Sequence, residues 1–549
     1  MSVPNIPEEF HTAFDALEAT AREHPRKIFL CMPKSETGDR KSSVVVNEYD
    51  FGTLYNHVQT LRSIFERSGI GHGHRVALLL GNRVEYISCF FALNSLGAWV
   101  IPISPENTAD EMHYQVMHSD VDVAITTKSR LVEFNDVVKR YDPIVAAYSI
   151  EDLPEVLLVR KRDLINAPPD RETIAAVLYT SGTTGKPKGC LISNQYGLNA
   201  GAWYLTREGH QALEFGRDRL FNPFPVHHMN AGIVSLMAMV LSANCLVLWD
   251  RFHPKTWWRD IVETGSTAAH YMGLIPPVLV KQPTVPEERK HKLKFAFGAG
   301  VDPDIHVEFE KRFDVPLIEV FGMTETGRTI SNSIEPRHIR TRAFGKARDG
   351  LEIMIADDDD KPLPIGMPGN FLIRFSGPNP RLGFFSGYLN DDVATEDAWR
   401  GGWLHTGDVC KQDSDGMLYF VDRKKNIIRR SGENIAAAEV EAAIAAHKSV
   451  HTVACLPIPD EMREEEVMAC IVLQPGVKPN QKTAASIFEK CCEQLSYFKT
   501  PGWIVFRNSL PTTHTAKIQK SLIFSSNEEP TATTGSFDFR KLKRRPSTT

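Results

Sequence analysis

Several features that mark specialised protein classes are missing from this sequence of 549 residues. The 63 basic residues are balanced by 68 acidic ones, so no overall positive field exists to bind nucleic acid or an anionic membrane. The nine cysteines form no CxxC pair and have no regular spacing, which excludes a disulfide scaffold and predicts reduced, intracellular thiols. With 36 Gly and 34 Pro, usage of both residues is ordinary, so fibrous and wholly disordered proteins are excluded as well.

Targeting signals and long hydrophobic runs are also scarce. The first ten residues lack a basic stretch followed by an apolar one, and the last three are not a peroxisomal signal, so we expect a cytoplasmic protein. The segment 232–249 is about as long as a bilayer span, but it contains Ser235, Ser242 and Asn244. It therefore predicts a buried helix followed by a buried strand.

The first half of the chain alternates apolar strand patterns with helical ones. A strand over 75–80, a helix over 82–96 and a strand over 98–103 form the unit that is typical of parallel α/β sheets. Further strands are predicted at 121–125, 174–179, 245–249, 295–297 and 317–320. Because the chain is three to four times a typical domain length, more than one core is expected.

The second half changes character twice. Short strands broken by Gly, Pro and Asp predict a β-rich lobe from about 345 to 420. A compact α/β piece follows, and after it the composition turns to Ser, Thr, Glu, Pro and Lys, which favours disorder. We therefore predict an α/β protein with a large N-terminal domain (1–424), a small C-terminal α+β lid (425–525) and a disordered tail (526–549).

The strongest local pattern is LYTSGTTGKPKG at 178–189, directly after an apolar strand. Backbone amides beside glycines, hydroxyl groups and lysines are the groups that bind phosphates. The segment is not a Walker loop, since only two residues separate Gly182 from Gly185 and Pro187 follows Lys186. A solvated turn is the simpler interpretation, but a plain turn has little reason to collect four hydroxyl side chains around three glycines.

Five other segments accompany this loop in a fixed order: FGMTE at 321–325, GWLHTGD at 402–408, DRKK at 422–425, SGEN at 431–434 and PTTHTAK at 511–517. Over about residues 10–522 the sequence thereby resembles the adenylate-forming enzymes, which include acyl-CoA synthetases, beetle luciferases and the adenylation domains of peptide synthetases. The resemblance implies their fold, with a mobile C-terminal domain. It also implies a two-step reaction, in which a carboxylate attacks the α-phosphate of ATP and a thiol, usually coenzyme A, then displaces AMP from the acyl-adenylate.

The resemblance also assigns catalytic and ATP-binding residues. Thr324 would contact the α-phosphate and Glu325 would be an oxygen ligand of a phosphate-bridging Mg²⁺, whereas alone the pair would indicate only a helix N-terminus. Lys517 matches the mobile lysine of the family, although Ala516 stands where the family has glycine. The other implied ATP contacts are Thr180, Ser181, Gly182, Thr183, Thr184 and Lys188 for the phosphates, Asp408 and Arg423 for the ribose, and Gly298, Ala299, Gly300, Val320, Phe321 and Gly322 for the adenine. The simpler alternatives are a turn for Asp408, a surface ion pair for Arg423 and core packing for Phe321.

Further roles follow from the same resemblance. Lys425 falls at the hinge of the family, and Ser431, Gly432, Glu433 and Asn434 match the loop that lines the thiol path. His228 would close the acyl pocket beside the carboxylate, with a structural histidine as the alternative. Asn230 and Arg328 are polar candidates near that pocket.

The identity of the acid substrate is the part of the function that the sequence determines least. The stretches 421–441 and 497–503 are most similar to the carnitine/crotonobetaine-CoA ligase branch, which favours a short polar or betaine acid. Trp203, Trp257 and Trp258 could form a cation–π wall, although core packing explains each more simply. A medium-chain or aromatic acid is the alternative.

The sequence therefore predicts an AMP-forming acyl-CoA synthetase that uses ATP, Mg²⁺ and coenzyme A on a small-molecule carboxylic acid, without a nucleic-acid partner or a transmembrane span. A luciferase-like oxygenase would share all of these motifs. A nucleotide-binding regulator without catalysis is the other class, but the presence of Glu325, Asp408 and Lys517 opposes it. Nothing in the sequence indicates the oligomeric state.

Overall fold

The computed structural model describes residues 6–33, 46–180, 187–327, 330–348, 350–430, 433–460, 463–495, 497–512, 518–525 and 528–543. The chain divides into two compact units. The N-terminal unit comprises Met1–Met354, Leu372–Thr406 and Asp413–Tyr419, and the C-terminal unit comprises Ile355–Phe371, Gly407–Gln412 and Phe420–Thr549. The domain boundary at 424–425 stays a prediction.

The strands are β1 Ile28–Pro33, β2 Val46–Asp50, β3 Arg75–Leu79, β4 Trp99–Pro102, β5 Val123–Thr126, β6 Ala147–Ser149, β7 Ile174–Thr180, β8 Lys188–Ser193, β9 Arg219–Asn222, β10 Cys245–Leu248, β11 Ala268–Met272, β12 Phe295–Ala299, β13 Leu317–Phe321, β14 Ile330–Ser331, β15 Ala343–Gly345, β16 Leu351–Ala356, β17 Gly369–Phe375, β18 Gly387–Tyr388, β19 Leu404–Gln412, β20 Leu418–Arg423, β21 Ile427–Arg430, β22 Glu433–Ala436, β23 Val450–Asp460, β24 Glu464–Leu473, β25 Trp503–Phe506 and β26 Ser536–Asp538.

The α-helices are α1 Ala13–Glu23, α2 Phe51–Arg67, α3 Val84–Ser95, α4 Ala109–His118, α5 Leu131–Tyr141, α6 Asn194–Leu205, α7 Leu236–Leu241, α8 Trp257–Glu263, α9 Ile275–Val280, α10 Pro303–Phe313, α11 Asp392–Ala398, α12 Ala437–Ala445 and α13 Gln481–Gln494. Polar residues fix several of the helix starts. Thr12 and Thr108 form capping boxes at α1 and α4, and Asp302 caps α10 ahead of Pro303. Within the described ranges, every helix is too short or too polar to serve as a transmembrane span.

Two large sheets, mostly parallel, organise the N-terminal unit. One has the strand order β14-β13-β12-β11-β9-β10-β1-β2 and the other β18-β8-β7-β4-β3-β5-β6. The carboxyl ends of the parallel strands β9, β11, β12 and β13 therefore meet at one edge, which is where ligands bind in open α/β sheets. The predicted strands and the 84–95 helix lie in the expected places, and the α/β fold class is confirmed.

The segment 232–249 also agrees with the prediction. A turn of π-helix at Asn230–Ser235 continues into α7, and β10 follows. Gly201 of α6 lies against the backbone of Met237, so a Cβ at 201 would collide with it. The helix pair is thus packed too closely for any other residue at that position.

The β-rich lobe is confirmed as a sheet with the order β15-β20-β19-β17-β16. In the C-terminal unit, β22, β21, β24, β25 and β26 form a sheet in that order, with β23 pairing on β24. Helices α12 and α13 pack on it around a core that includes Val440, Ile487 and Phe488.

The expectation of a disordered tail is wrong for most of the segment. Residues 536–538 form β26, antiparallel to β25, and Phe539 is buried against Phe488 with ring centroids 4.7 Å apart. The Lys543 ammonium lies 2.5 Å from Glu466 Oε1, and Arg430 Nε lies 2.8 Å from Glu466 Oε2, with all three side chains buried. The tail is polar on average, but it has apolar residues at alternate positions, Phe537 and Phe539, which is the pattern of a strand.

Candidate active site

The predicted phosphate loop joins two antiparallel strands. Thr180 at the end of β7 pairs with Lys188 at the start of β8. The Lys188 ammonium lies 4.7 Å from the centroid of the Tyr388 ring, and Tyr388 itself belongs to β18, which pairs with β8. A lysine is therefore held beside the loop. The loop residues Ser181, Gly182, Thr183 and Thr184 lie outside the described residues.

Glu325 is a buried carboxylate that contacts the same tyrosine, Tyr388. Its Oε1 accepts a hydrogen bond of 2.9 Å from the Tyr388 hydroxyl, and its main-chain oxygen accepts one of 3.0 Å from Phe385 N. Burial, and then the charge of Glu325, raise the pKa of Tyr388, so that its hydroxyl remains a donor. Tyr388 thus connects the predicted metal ligand to the lysine beside the phosphate loop.

This carboxylate fits the role of a Mg²⁺ ligand. Mg²⁺ is usually held by one or two carboxylates together with substrate phosphates, because it keeps much of its hydration. Among the described residues, no group of three or more His, Cys, Asp or Glu side chains could hold a metal ion. Glu325 beside the phosphate-loop strands would be the contribution of the protein.

Tyr196 of α6 links the 321–325 segment to the predicted acyl pocket. Its hydroxyl donates to the Thr324 carbonyl over 2.8 Å and lies 3.7 Å from the Met229 sulfur. Tyr196 is fully buried, and Gly327, at φ 62°, packs so tightly against its ring that a Cβ would collide. The segment that contains His228 and Asn230 is thereby brought beside Thr324.

The predicted adenine site is shaped by a buried glutamate. Glu319 of β13 accepts hydrogen bonds from Gly300 N at 3.0 Å, from Val301 N at 3.3 Å and from the Tyr271 hydroxyl at 2.5 Å. Burial raises the pKa of its carboxyl, which the donors partly offset. A Cβ on Gly298 would collide with the Tyr271 carbonyl. The turn after β12 is therefore held by hydrogen bonds to Glu319, and the close packing at the end of β12 requires glycine at position 298.

The remaining adenine candidates divide by exposure. Gly298 and Phe321 are buried, Val320 is half-buried, and Ala299, Gly300 and Gly322 are exposed at the carboxyl ends of their strands. Phe321 lies 5.5 Å from the ring of Phe344, which is ordinary core packing.

The two ribose candidates lie in the C-terminal unit. Arg423 Nε is 2.7 Å from Asp408 Oδ1, and Asp408 is buried. Gly407 just before it has φ 72°, a conformation that favours glycine. The neighbouring Asp422 was not singled out by sequence, yet its carboxylate accepts from Arg423 N and from Ala438 N, and so ties the segment to the start of α12.

Several predicted residues have no described side chain. Lys517, Ser431, Gly432 and Arg328 lie outside the described residues. Lys425 lies in a short helical turn, Lys424–Asn426, between β20 and β21, and Glu433 and Asn434 begin β22, but the structure describes only their backbone.

The tryptophans do not form a cation–π wall. Trp203 is fully buried, and the Arg207 guanidinium already lies 4.4 Å from the centre of its ring. Trp257 packs on Phe221, and Trp258 packs on Phe313. Core packing, the simpler of the two interpretations, is confirmed for all three.

Asn230 is the end of a buried polar chain. Its Oδ1 is 2.8 Å from Asn222 Nδ2 and 2.7 Å from His270 Nδ1, while His270 Nε2 is 3.1 Å from the Tyr204 hydroxyl. Complete burial lowers the pKa of His270 to about 3, so the ring is neutral at physiological pH. His228 is half-buried two residues earlier, with its ring centroid 4.5 Å from that of His227.

Sequence reasoning missed Tyr388, Tyr196, Glu319 and His270. Only Glu319 carried a usable signal, because a charged residue inside the apolar strand pattern before FGMTE needs a buried partner. The other three are ordinary strand or helix residues whose partners are 33 or more positions away.

These sheets and this site define an adenylate-forming fold. The crystal structure of ATP-bound MatB from Rhodopseudomonas palustris superposes with a TM-score of 0.77 at 20% identity, covering 93% of this chain and 97% of that one. Residues 17–389 match the AMP-binding enzyme family and residues 439–517 match the AMP-binding enzyme C-terminal domain.

The chain therefore belongs to the AMP-binding enzyme family, and it is an AMP-forming acyl-CoA synthetase. It is similar to the crotonobetaine/carnitine–CoA ligase of Salmonella heidelberg (strain SL476), with 27% identity over 489 residues, 87% of this chain and 93% of the relative. The crotonobetaine/carnitine–CoA ligase of Proteus mirabilis (strain HI4320) is 26% identical over 526 residues, 92% of this chain and 99% of the relative. Acyl-CoA synthetases of this family use ATP and coenzyme A.

Proposed function

We propose that this synthetase activates a short polar or betaine carboxylic acid with MgATP and transfers the acyl group to coenzyme A. The observation that carries the mechanism is the contact series Lys188, Tyr388 and Glu325. Lys188 follows the loop 181–186 in sequence, its ammonium lies 4.7 Å from the centroid of the Tyr388 ring, and the Tyr388 hydroxyl donates to the buried Glu325 carboxylate, which supports a site for phosphates and a metal ion here.

Each group has a defined task in the first step. The loop 180–188 holds the β- and γ-phosphates, with Lys188 balancing their charge, while the Thr324 hydroxyl donates to the α-phosphate. Glu325 contributes a carboxylate to the Mg²⁺ site, and Tyr388 holds that carboxylate in place. The metal, when bound, neutralises charge that develops on the departing pyrophosphate. Lys517 meets the substrate carboxylate and the α-phosphate.

The nucleoside and the second step use the other predicted residues. Gly298, Ala299, Gly300, Val320, Phe321 and Gly322 accommodate the adenine, and Asp408 accepts from the ribose hydroxyls with Arg423 beside it. We propose that Lys425 is the hinge about which the C-terminal domain turns, so that Ser431, Gly432, Glu433 and Asn434 then line the coenzyme A path. His228 closes the acyl pocket, with Asn230 and Arg328 as polar contacts.

Two observations support a short polar acid. The relatives that match 87–92% of the chain are named for crotonobetaine and carnitine. A polar amide, Asn230, stands in the segment beside Thr324, where a long apolar tail would gain nothing from it. Trp203, Trp257 and Trp258 are buried in the core, so support for a betaine acid comes from the relatives alone.

The test is pyrophosphate release with MgATP across a panel of acids, with and without coenzyme A. The panel contains carnitine, γ-butyrobetaine, 3-hydroxybutyrate, butyrate, hexanoate and benzoate. We expect release with the short polar acids, accelerated by coenzyme A, and a CoA thioester among the products. Release with hexanoate or benzoate alone would overturn the acid class while leaving the reaction intact.

Two variants with matched controls test the machinery. Glu325→Gln should lower the rate of adenylate formation by at least 100-fold because the metal loses a charged ligand, while the exposed Glu396→Gln in the same unit should not. Lys517→Ala should do likewise, with the exposed Lys541→Ala as its control. Full activity of Glu325→Gln would refute its role as the metal ligand.

A further inference from the structure

The polar chain that ends at Asn230 has a single possible arrangement of protons. Phe224 N is a backbone donor, and it lies 2.9 Å from Asn222 Oδ1. The other end of the Asn222 amide must therefore be its NH₂ group, which donates to Ser235 Oγ and to Asn230 Oδ1. One backbone N–H thus fixes the orientation of Asn222.

The same reasoning continues to His270. Because Asn230 Oδ1 is a carbonyl oxygen and can only accept, the His270 Nδ1 atom 2.7 Å away carries the proton. The ring is neutral, so Nε2 is an acceptor and the Tyr204 hydroxyl donates to it over 3.1 Å. His270 is fully buried with its ring parallel to that of Tyr204, and the hydrogen bonds at its two nitrogens fix the orientation of the ring.

The side-chain amide of Asn230 therefore has a single orientation. Its oxygen takes two donors, one from Asn222 and one from His270, and flipping the amide would set NH₂ against both. The NH₂ group of Asn230 has no hydrogen-bond acceptor among the described residues, and the residue is only half-buried. It sits at the start of the π-helical turn, next to Met229, whose sulfur touches the Tyr196 hydroxyl that binds the Thr324 carbonyl. π-Helical turns often mark functional sites.

We propose that Asn230 is a fixed hydrogen-bond donor in the acyl pocket and selects acids that carry an acceptor oxygen on the chain, and that His270 is the residue that positions it. This rests on the proposed function and narrows its acid class. A pocket meant for an unsubstituted alkyl chain would have no use for a buried histidine and a second asparagine that together orient one amide.

Two matched pairs of acids test the effect of one acceptor oxygen on the chain of the acid. Carnitine differs from γ-butyrobetaine, and 3-hydroxybutyrate from butyrate, by one hydroxyl group. One net hydrogen bond from a partly solvated donor corresponds to about a 10-fold difference, so we expect kcat/KM to favour the hydroxylated member of at least one pair by about 10-fold. Asn230→Asp keeps the shape and the two donors behind it but presents no donor, and should abolish the preference, so that kcat/KM becomes the same for both members of the pair.

Positioning by His270 is tested by two further variants. His270→Phe removes the donor to Asn230 and should reduce the preference, whereas His270→Asn can place an NH₂ at the Nδ1 position and should retain part of it. If His270 had only a structural role, its variants would lower kcat/KM equally for both acids of a pair. Asn230→Leu serves as a second variant if Asn230→Asp does not fold, as judged by thermal unfolding.

The same preference is measured in binding, by titration calorimetry of each acid with the protein. If no acid supports pyrophosphate release, the proposed function fails, and a hydroxyl preference in binding that Asn230→Asp abolishes would still support the donor. A wild type that treats both members of each pair alike, or a preference that survives Asn230→Asp and Asn230→Leu, would overturn the inference.

Discussion

Among the described residues, Glu466 is the anion that pairs with two buried cations, Arg430 and Lys543, and its removal should destabilise the C-terminal unit more than the removal of either cation. The three side chains are 0–2% exposed, with N–O distances of 2.8 and 2.5 Å. Glu466→Gln leaves two buried positive charges without a counter-ion, which costs about 3–5 kcal/mol in comparable sites. Lys543→Met leaves Glu466 paired with Arg430 and should cost about 1 kcal/mol.

The pKa of Lys543 determines how the stability should change with pH. Burial lowers the pKa of Lys543 from 10.5 to about 8, although Glu466 opposes the shift. The unfolded chain therefore binds more protons than the folded one above pH 8, and stability rises with pH from about 8 to 10. Without Glu466 the pKa falls further, so the deficit of Glu466→Gln should shrink as the pH rises from 6 to 8.

Backbone hydrogen exchange measures this locally, in the strands β24 and β26. We expect Glu466→Gln to accelerate exchange there at pH 6 by about 100-fold or more, since 1.4 kcal/mol corresponds to tenfold. Lys543→Met should accelerate it by less than about tenfold, and the exposed Glu489→Gln by nothing measurable. Equal effects of Glu466→Gln and Lys543→Met, or a deficit that grows towards pH 8, would refute the reasoning.

Three further outcomes follow from described contacts. Tyr388→Phe removes a hydrogen bond to the buried Glu325 carboxylate and should slow ATP–pyrophosphate exchange by about 10- to 100-fold; unchanged exchange would mean that Glu325 needs no such support. His270 has a pKa of about 3 in the folded protein and 6.5 in the unfolded chain, so the free energy of unfolding should fall as the pH drops below about 6.5. Thermal unfolding should show a larger loss of stability between pH 7.5 and pH 5 for the wild type than for His270→Asn. A larger loss for His270→Asn would be inconsistent with a neutral buried ring. Of the nine cysteines only Cys492 is exposed, so a thiol reagent should label one site rapidly in the native protein and none in Cys492→Ser, and several fast sites would contradict the burial of the rest.

Much of the fold could be predicted because local patterns and tertiary structure agree. The strand at 75–79, the helix at 84–95 and the strand at 99–102 lie within a few residues of the predicted bounds, since apolar runs of parallel strands need burial on both faces. Glu325 and Asp408 are candidate site residues because they stand in short motifs, whose residues are consecutive in sequence.

The supporting residues could not be predicted in the same way. Tyr388 reaches Glu325 across 63 positions because β18 pairs with β8, and His270 reaches Asn230 across 40 because β11 lies beside β9. Such pairs depend on strand order, which composition and spacing do not reveal. The tail was misjudged for a different reason, because Phe537 and Phe539 contribute a strand from a segment that is polar on average.

The position of β26 has a practical consequence. It pairs with β25, a strand of the sequence WIVF, along the side that faces away from β24. A chain shortened to residue 525 would uncover the backbone donors and acceptors of an apolar edge strand, which is a template for edge-to-edge association between molecules. Shortened versions of this protein should therefore end after residue 543 and not at the end of the family match at 517.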